Sequence, residues 1–388
     1  LIRTDKAFYE GESYPGIETY TTYQYDEHGN IIRYFESGDS GIDDDIVVEI
    51  DYFKDLNNYI VSKPKEVKVF GDGKLLRHRV GEYEYGTGNL TRLEQYIDNM
   101  KTSTTNLKYY DNGNLKKMVG PEDVNGDRYT ISYKYDPEVK THITEIKDSF
   151  SYVSKAEYNY LFGQVKVSTD LNGNKMIREY DSCGRLAAIF APYDEEIPAV
   201  EFKYFPEERP ARAVTKNKVH FDPENEETLD TVTFTDGLKR VKKKKKEGEV
   251  MKKSDSQPTY GMNVSGKVIY DFMGRKVKTG QPVFQKGYNS KFYEDVPLKN
   301  PTLTEYDILN RKTLVTLPDG SEMLNEYSIE DELNKTRVTD PEGKVKISYR
   351  NVRKNIIKIE QFNEGDKITS EYEYNQLGEI LKVYDDQD

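Results

Sequence analysis

One short phrase returns along the chain. "YDEHGNI" begins at Tyr25, "YDSCGRL" at Tyr180, "YDFMGRKV" at Tyr270, "YDILNRKT" at Tyr306 and "YNQLGEI" at Tyr374. Chance placement in so Tyr-rich a chain would give about one such match. A shorter form begins at Tyr85 ("YGTGNL"), Tyr110 ("YDNGNL") and Tyr160 ("YLFGQV"), and many of the turn tyrosines lie 20 to 25 residues apart. Each phrase is a tight-turn signal. An Asp or Asn side chain caps its own backbone, and Gly or Asn supplies the positive φ that a hairpin turn demands. The turn positions that matter are therefore Tyr25, Asp26 and Gly29; Tyr110, Asp111 and Gly113; Tyr180, Asp181 and Gly184; Tyr270, Asp271 and Gly274; Tyr306, Asp307 and Asn310; and Tyr374, Asn375 and Gly378. Their expected roles are structural: a side-chain turn cap, a positive-φ residue and a ring covering the neighbouring hairpin.

Between turns the residues alternate as strands do. "VKVST", "KMIREY" and "LAAIF" within 165–190 are separated by "DLNGN" and "DSCGR", so one period reads as a hairpin and its link to the next. A lone hairpin is marginal in water, which makes a series of stacked hairpins the expected architecture. No window carries an i, i+3, i+4, i+7 apolar stripe, so no helix is expected. The expected organisation is one continuous β assembly in three stretches: hairpins over 1–190, an irregular proline-containing β insert over 191–260, and hairpins over 261–388. Within the insert, "DTVTFTDGLKRVKKKKKEGEV" reads as a strand pair turning at Asp236-Gly237, and "KKSDSQPTYGMN" as a loop.

Composition fits a thin wall better than a thick core. Hydrophobic residues are only 35% of 388, while 32 Tyr and 15 Phe carry the aromatic content and Trp is absent. Tyrosine buries a ring while keeping its hydroxyl wet. The net charge of −12 disfavours a nucleic-acid binder, and no apolar stretch is long enough to span a bilayer. One cysteine, Cys183, precludes an internal disulfide framework. The start at Leu1, without Met or a signal segment, reads as a piece of a longer protein.

Candidates for chemistry have bland readings beside them. Lys242 to Lys246 could bind phosphates, but reads as a solvated strand with snorkelling lysines. Asp43, Asp44, Asp45, Glu49 and Asp51, and separately Asp123, Asn125 and Asp127, offer oxygens for calcium without the EF-hand spacing, and read as solvated loops. His28, His78, His142 and His220 lie far apart in sequence, and no nucleophile elbow or phosphate loop is present. No catalytic residue, cofactor site or metal site is expected.

The "YDxxGR" and "YDxxNR" turns, with "TDLNGNKMIREYD" and "TDPEGKVKISY" between them, resemble the YD repeats of the Rhs family. "DTVTFTDGLKRVKKKKKEG", "GKVIYDFMGRKVKTGQPVF" and "PTLTEYDILNRKTLVTLPDG" are most similar to the central region of the B component of insecticidal toxin complexes and its Salmonella-plasmid-virulence-like relatives. That resemblance implies an all-β fold whose hairpins form a curved, spiralling β-sheet, part of a hollow shell that sequesters a toxic polypeptide before delivery. It implies partners in the remaining shell and the C-terminal toxin polypeptide, of the same or a partner chain, with no nucleic acid and no membrane span. It implies a secreted or cell-surface location in a bacterium, and no enzymatic role. The family's self-cleaving aspartate site lies beyond a segment like this one, and Asp340-Pro341-Glu342-Gly343 reads as an interior repeat turn. The alternative is a cell-surface adhesion or glycan-binding module, since tyrosine-rich β surfaces also suit sugar stacking.

Overall fold

The computed structural model describes residues 1–39, 44–97, 101–194, 196–220, 227–251, 257–292, 297–363 and 365–385. These hold thirty-one strands and no helix, and every strand pairing described is antiparallel. The all-β hairpin architecture expected from the turns is what the chain adopts. The candidate calcium ligand Asp43 lies outside the described residues.

The chain divides into two compact units. The first comprises 1–134, 147–151 and 324–388, and the second 135–146 and 152–323. In the first unit, consecutive strands pair in chain order from Arg3–Phe8 to Leu115–Glu122. A second run pairs in order from Leu333–Thr339 to Ile380–Asp385. The two runs meet where the Val352 N–H donates to the Asp39 carboxylate at 3.1 Å and Arg353 pairs with Asp44 at 2.6 Å. Burial pushes the Asp39 carboxyl above its usual range.

In the second unit, strands again pair in order from Val153–Asn159 to Thr259–Val264. Thr259–Val264 then takes Val283–Lys286 as its far neighbour, while Val268–Tyr270, Lys276–Thr279, Thr302–Tyr306 and Lys312–Thr316 form a separate ladder. "PTYGMN", expected as loop, thus supplies a strand from Thr259. The reason is tertiary: Met262 and Val264 are fully buried, so the backbone is recruited to the ladder beside them.

The core is small, as the composition implied. Eleven apolar side chains are buried among the described residues. The one cluster is Val214, Val232, Phe234 and Met262, with Phe205 and Phe292 packed against it. It sits under the lysine run. Strand Val241–Val250 alternates, so Lys243 and Lys245 face this cluster and are buried at 4% and 0% exposure, while Lys242, Lys244 and Lys246 face solvent. The expectation of a solvated strand therefore fails for two of the five lysines. A strand has two faces, and here one of them is roofed by the segment 288–292. Lys245 Nζ donates to the carbonyls of Asn289 and Lys291, Tyr288 donates to Asp230 at 2.8 Å, and Phe292 packs edge-on against Phe234 at 5.1 Å. Burial, with Lys243 alongside, brings the Lys245 ammonium down to about 8.

Lys245→Ala is expected to destabilise the protein by about 2–4 kcal/mol, through a cavity and two carbonyls left without a donor. Lys244→Ala on the opposite face should stay within about 0.5 kcal/mol. Urea unfolding of the two variants against the parent checks the contrast.

Candidate functional site

The repeated turns are the feature most regularly built in this protein. At Asp26, the backbone N–H donates to the Asn30 carbonyl and the Gly29 N–H donates back to the Asp26 carbonyl. The Asp26 carboxylate accepts from the N–H groups of His28 and Asn30, both at 2.9 Å. Gly29 holds φ 85°, with open space where a Cβ would stand. This is a three-residue loop closed by a left-handed residue, in which the Asp side chain satisfies amides that the tight bend leaves unpaired.

The same backbone bonds recur at Asp170, Asp181, Asp236, Asp271, Asp307, Asp340 and Asn375. Asn310 stands in the left-handed position at φ 65°, where most turns have Gly. In the turn from Asp236 the left-handed residue is Lys239, at φ 61°, and not Gly237. Position in the loop, counted from the Asp, decides which residue must take positive φ. The Asp123 carboxylate is likewise spent on its own turn, accepting from Asn125 and Asp127. Cys183 occupies an exposed position of the turn that Asp181 caps.

The structure places the three shorter phrases differently from their reading. Tyr110 occupies the Asp position, with its N–H bonded to the Asn114 carbonyl, and the Asp111 carboxylate has no capping role there. Tyr109 is the tyrosine that enters the turn, four residues before Gly113, just as Tyr25 lies four before Gly29. At 160 the entering pair is Tyr158-Asn159, and in the Tyr85 phrase the entering tyrosine is Tyr83. The four-residue Tyr-to-Gly spacing of the longer phrases was the available signal at Tyr109.

What the entering tyrosine does follows from a slip in register. At each of Tyr25, Tyr83, Tyr109, Tyr158, Tyr180, Tyr270, Tyr306 and Tyr374 the ladder shifts by one residue. The strand leaving the turn therefore starts with a bulge. Its pairing to the next strand begins only beyond the bulge: Ala188, not Leu186, is the residue nearest the turn paired to strand Val200–Phe205. The carbonyl of the first residue out of the turn is left without a ladder donor. The tyrosine of the following hairpin supplies one.

In the first unit the hydroxyls of Tyr52, Tyr83 and Tyr109 donate to the carbonyls of Ile31, Pro64 and Leu90 at 2.9, 2.8 and 2.9 Å. In the second unit Tyr158, Tyr180, Tyr204, Tyr270 and Tyr306 donate to Ile143, Val165, Leu186, Val241 and Lys276 at 2.7 to 3.3 Å. Burial raises the phenols of Tyr83, Tyr109 and Tyr204 above the ordinary value, which keeps them neutral donors.

Arginine completes the seam, a role the sequence reading did not assign. Arg185, Arg240 and Arg275 each close a turn, with Nε donating to the second oxygen of Asp181, Asp236 or Asp271 at 2.7 Å. Each guanidinium then lies over the ring of the next entering tyrosine: Arg185 on Tyr204 at 4.5 Å, Arg240 on Tyr270 at 4.8 Å, Arg275 on Tyr306 at 4.9 Å. A planar guanidinium can fork to the acid and lie flat on the ring at once. The motif's final Arg was the visible signal.

The turn acids Asp26, Asp170, Asp181, Asp236, Asp271 and Asp307 are held below the usual carboxylate range. At Asp26 the Asn30 side chain is the main cause, and at Asp181 the Arg185 backbone N–H. At Asp271 desolvation pushes upward, and the Arg275 hydrogen bonds outweigh it. Asp136, buried and accepting from five backbone N–H groups, is brought down to about 2 despite its desolvation. His78 stacks on Tyr96 and His142 on Tyr158, and among the described residues no three metal-ligating side chains converge. No helix of the described residues is long and apolar enough to cross a membrane.

No family model and no curated protein matches the sequence. Solved structures do match in fold. The chain superposes on a TcdB2-TccC3-TEV crystal structure with a TM-score of 0.75 at 12% identity, covering 99% of this chain and 29% of that one. Against a Tc holotoxin pore of Photorhabdus luminescens the TM-score is 0.73 at 12% identity, covering 99% and 28%. Against TcdB2-TccC3 without its hypervariable C-terminal region it is 0.70 at 12% identity, covering 99% and 30%. The chain thus has the fold found in these toxin-complex chains, in agreement with the likeness carried by its turns, and spans less than a third of their length.

Two outcomes are expected. Tyr204→Phe keeps the ring under Arg185 but strips the Leu186 carbonyl of its donor, and should cost about 1–2 kcal/mol in urea unfolding. The turn acids, depressed in the folded state, contribute stability that is complete above their unfolded pKa of about 3.9 and is lost as pH falls towards their folded values. Far-UV circular dichroism should therefore report constant stability from about pH 8 to pH 5 and progressive loss below about pH 4.

Proposed function

We propose that this chain is a non-enzymatic wall segment of a toxin-complex-like β-shell, and that the wall encloses and protects a toxic polypeptide before delivery. The observation that carries this reading is the fold shared with TcdB2-TccC3 chains along 99% of the chain. The seam supports it physically. A wall one sheet thick has little core to hold it, so its hairpins need to be fastened to each other along the turn edge, and the Tyr and Arg contacts do this one hairpin at a time. In this reading the partners are the rest of the shell and the enclosed polypeptide, and the location is secreted or cell-surface in a bacterium.

Small-angle scattering on a monodisperse sample tests the wall. A compact chain of this length would have a radius of gyration of about 21 Å. A clearly larger value, with the scattering profile of a thin sheet, is expected. A value at the compact figure would sink the proposal and turn attention to glycan binding.

A further inference from the structure

In three seams of the second unit a guanidinium fills the gap between one turn and the next, held between an acid and a ring: Asp181 and Tyr204, Asp236 and Tyr270, Asp271 and Tyr306. In the first unit the seam of Asp26 and Tyr52 has Asn30 in the arginine's place, its amide donating to Asp26 at 3.0 Å and to the Val61 carbonyl, while a second seam has an acid and a ring and no guanidinium. The turn there starts at Glu84, whose N–H bonds to the Asn89 carbonyl while the Gly88 N–H bonds back to Glu84. Glu84 therefore stands where Asp181 stands, and Asn89 where Arg185 stands. The next entering tyrosine is Tyr109, whose hydroxyl reaches the Leu90 carbonyl as Tyr204 reaches Leu186.

The missing arginine leaves a groove of about 550 Å³ lined by Glu84, Thr87, Asn89, Lys108, Tyr109 and Asp111, among others. Thr87 occupies one Glu84 oxygen at 2.6 Å, and its hydroxyl also accepts from the Asn89 N–H, replacing the Asp cap of other turns. Among the described residues, the other Glu84 oxygen, the Asn89 side chain and the Asp111 carboxylate make no hydrogen bond or ion pair. The lining carries two carboxylates and one ammonium, Lys108, with Lys116 over the neighbouring Tyr110 ring, so the lining itself is net negative.

We propose that this groove is a receptor for a guanidinium, and that it takes an arginine side chain presented by a polypeptide partner. The bound group would lie over the Tyr109 ring with its N–H groups towards Glu84, in the arrangement that Arg185, Arg240 and Arg275 adopt within the chain. Charge complementarity selects a cation. The ring and the carboxylate together select a planar one, since an ammonium cannot lie flat on the ring while forking to an acid. The assignment is independent of the shell reading.

The test is an amide-resolved NMR titration of the whole chain with N-acetyl-arginine amide, against N-acetyl-lysine amide and N-acetyl-citrulline amide. Saturable shifts at the Thr87, Asn89 and Asp111 amides are expected for the arginine amide in the millimolar range, weaker for lysine and absent for citrulline. Glu84→Gln, a change at an exposed side chain, should weaken binding by about tenfold. Asn89→Arg should abolish it, because the new side chain fills the groove from within, and Asp111→Asn should weaken it without that filling. The proposal is overturned by no saturable shift at these amides, by equal binding of lysine amide, by indifference to Glu84→Gln, or by undiminished binding to Asn89→Arg.

Discussion

The structure depends on one carbonyl in each repeat. Each tight turn entered by a tyrosine is followed by a bulge, unlike the turns at Asp170 and Asp340, and the bulge leaves the first residue of the outgoing strand beyond the reach of the next ladder. A backbone carbonyl without a donor is costly where water is excluded. The hydroxyl of the next hairpin's tyrosine removes that cost at Ile31, Leu90, Val165, Leu186 and Lys276. Each hairpin thereby repairs the defect of the one before it, which is why a chain with so little buried apolar surface holds its strands in order.

The same contact accounts for the composition. A leucine at the entering position would bury as much surface and leave the carbonyl unpaired, whereas a tyrosine ring ends in a donor of the right reach. Arginine follows from it too. Once a ring stands at the next turn and an acid caps the present one, a planar cation between them satisfies both, and Arg185, Arg240 and Arg275 take that place. Among the described residues, buried apolar side chains form a cluster at Val214, Val232, Phe234 and Met262, where a roofing segment gives the sheet a second layer. There a strand buries two lysines, and Lys245 is held by backbone carbonyls of that roof.

For the proposed wall, this manner of cohesion has a consequence. Fastening along the turn edge leaves the faces between turns free of structural duty. Their residues can vary with whatever the wall surrounds, while Tyr, Asp, the left-handed residue and Arg keep the wall in register. The seam at Glu84 and Asn89 departs from that set at the acid and at the arginine, and leaves an acid and a ring with no guanidinium between them.

Local features were legible from residue order alone. The Asp cap, the left-handed Gly29 and Asn310, the hairpin architecture and the absence of helix among the described residues all follow from short-range sterics and from hydrogen bonds within five residues of one another. The toxin-complex-like fold was legible because those turns recur in a set. Other features needed the tertiary structure. Tyr109 rather than Tyr110 enters its turn because the loop length is counted from the closing glycine, and two adjacent tyrosines conceal it. Lys243 and Lys245 are buried while Lys244 is not, because the 288–292 segment, more than forty residues away, covers one face of their strand. The tyrosine-to-carbonyl contacts join residues 15 to 30 positions apart. The sequence by itself determined where the chain turns, since a turn is satisfied within its own few residues; which hydroxyl completes which carbonyl was decided only when neighbouring hairpins were laid side by side.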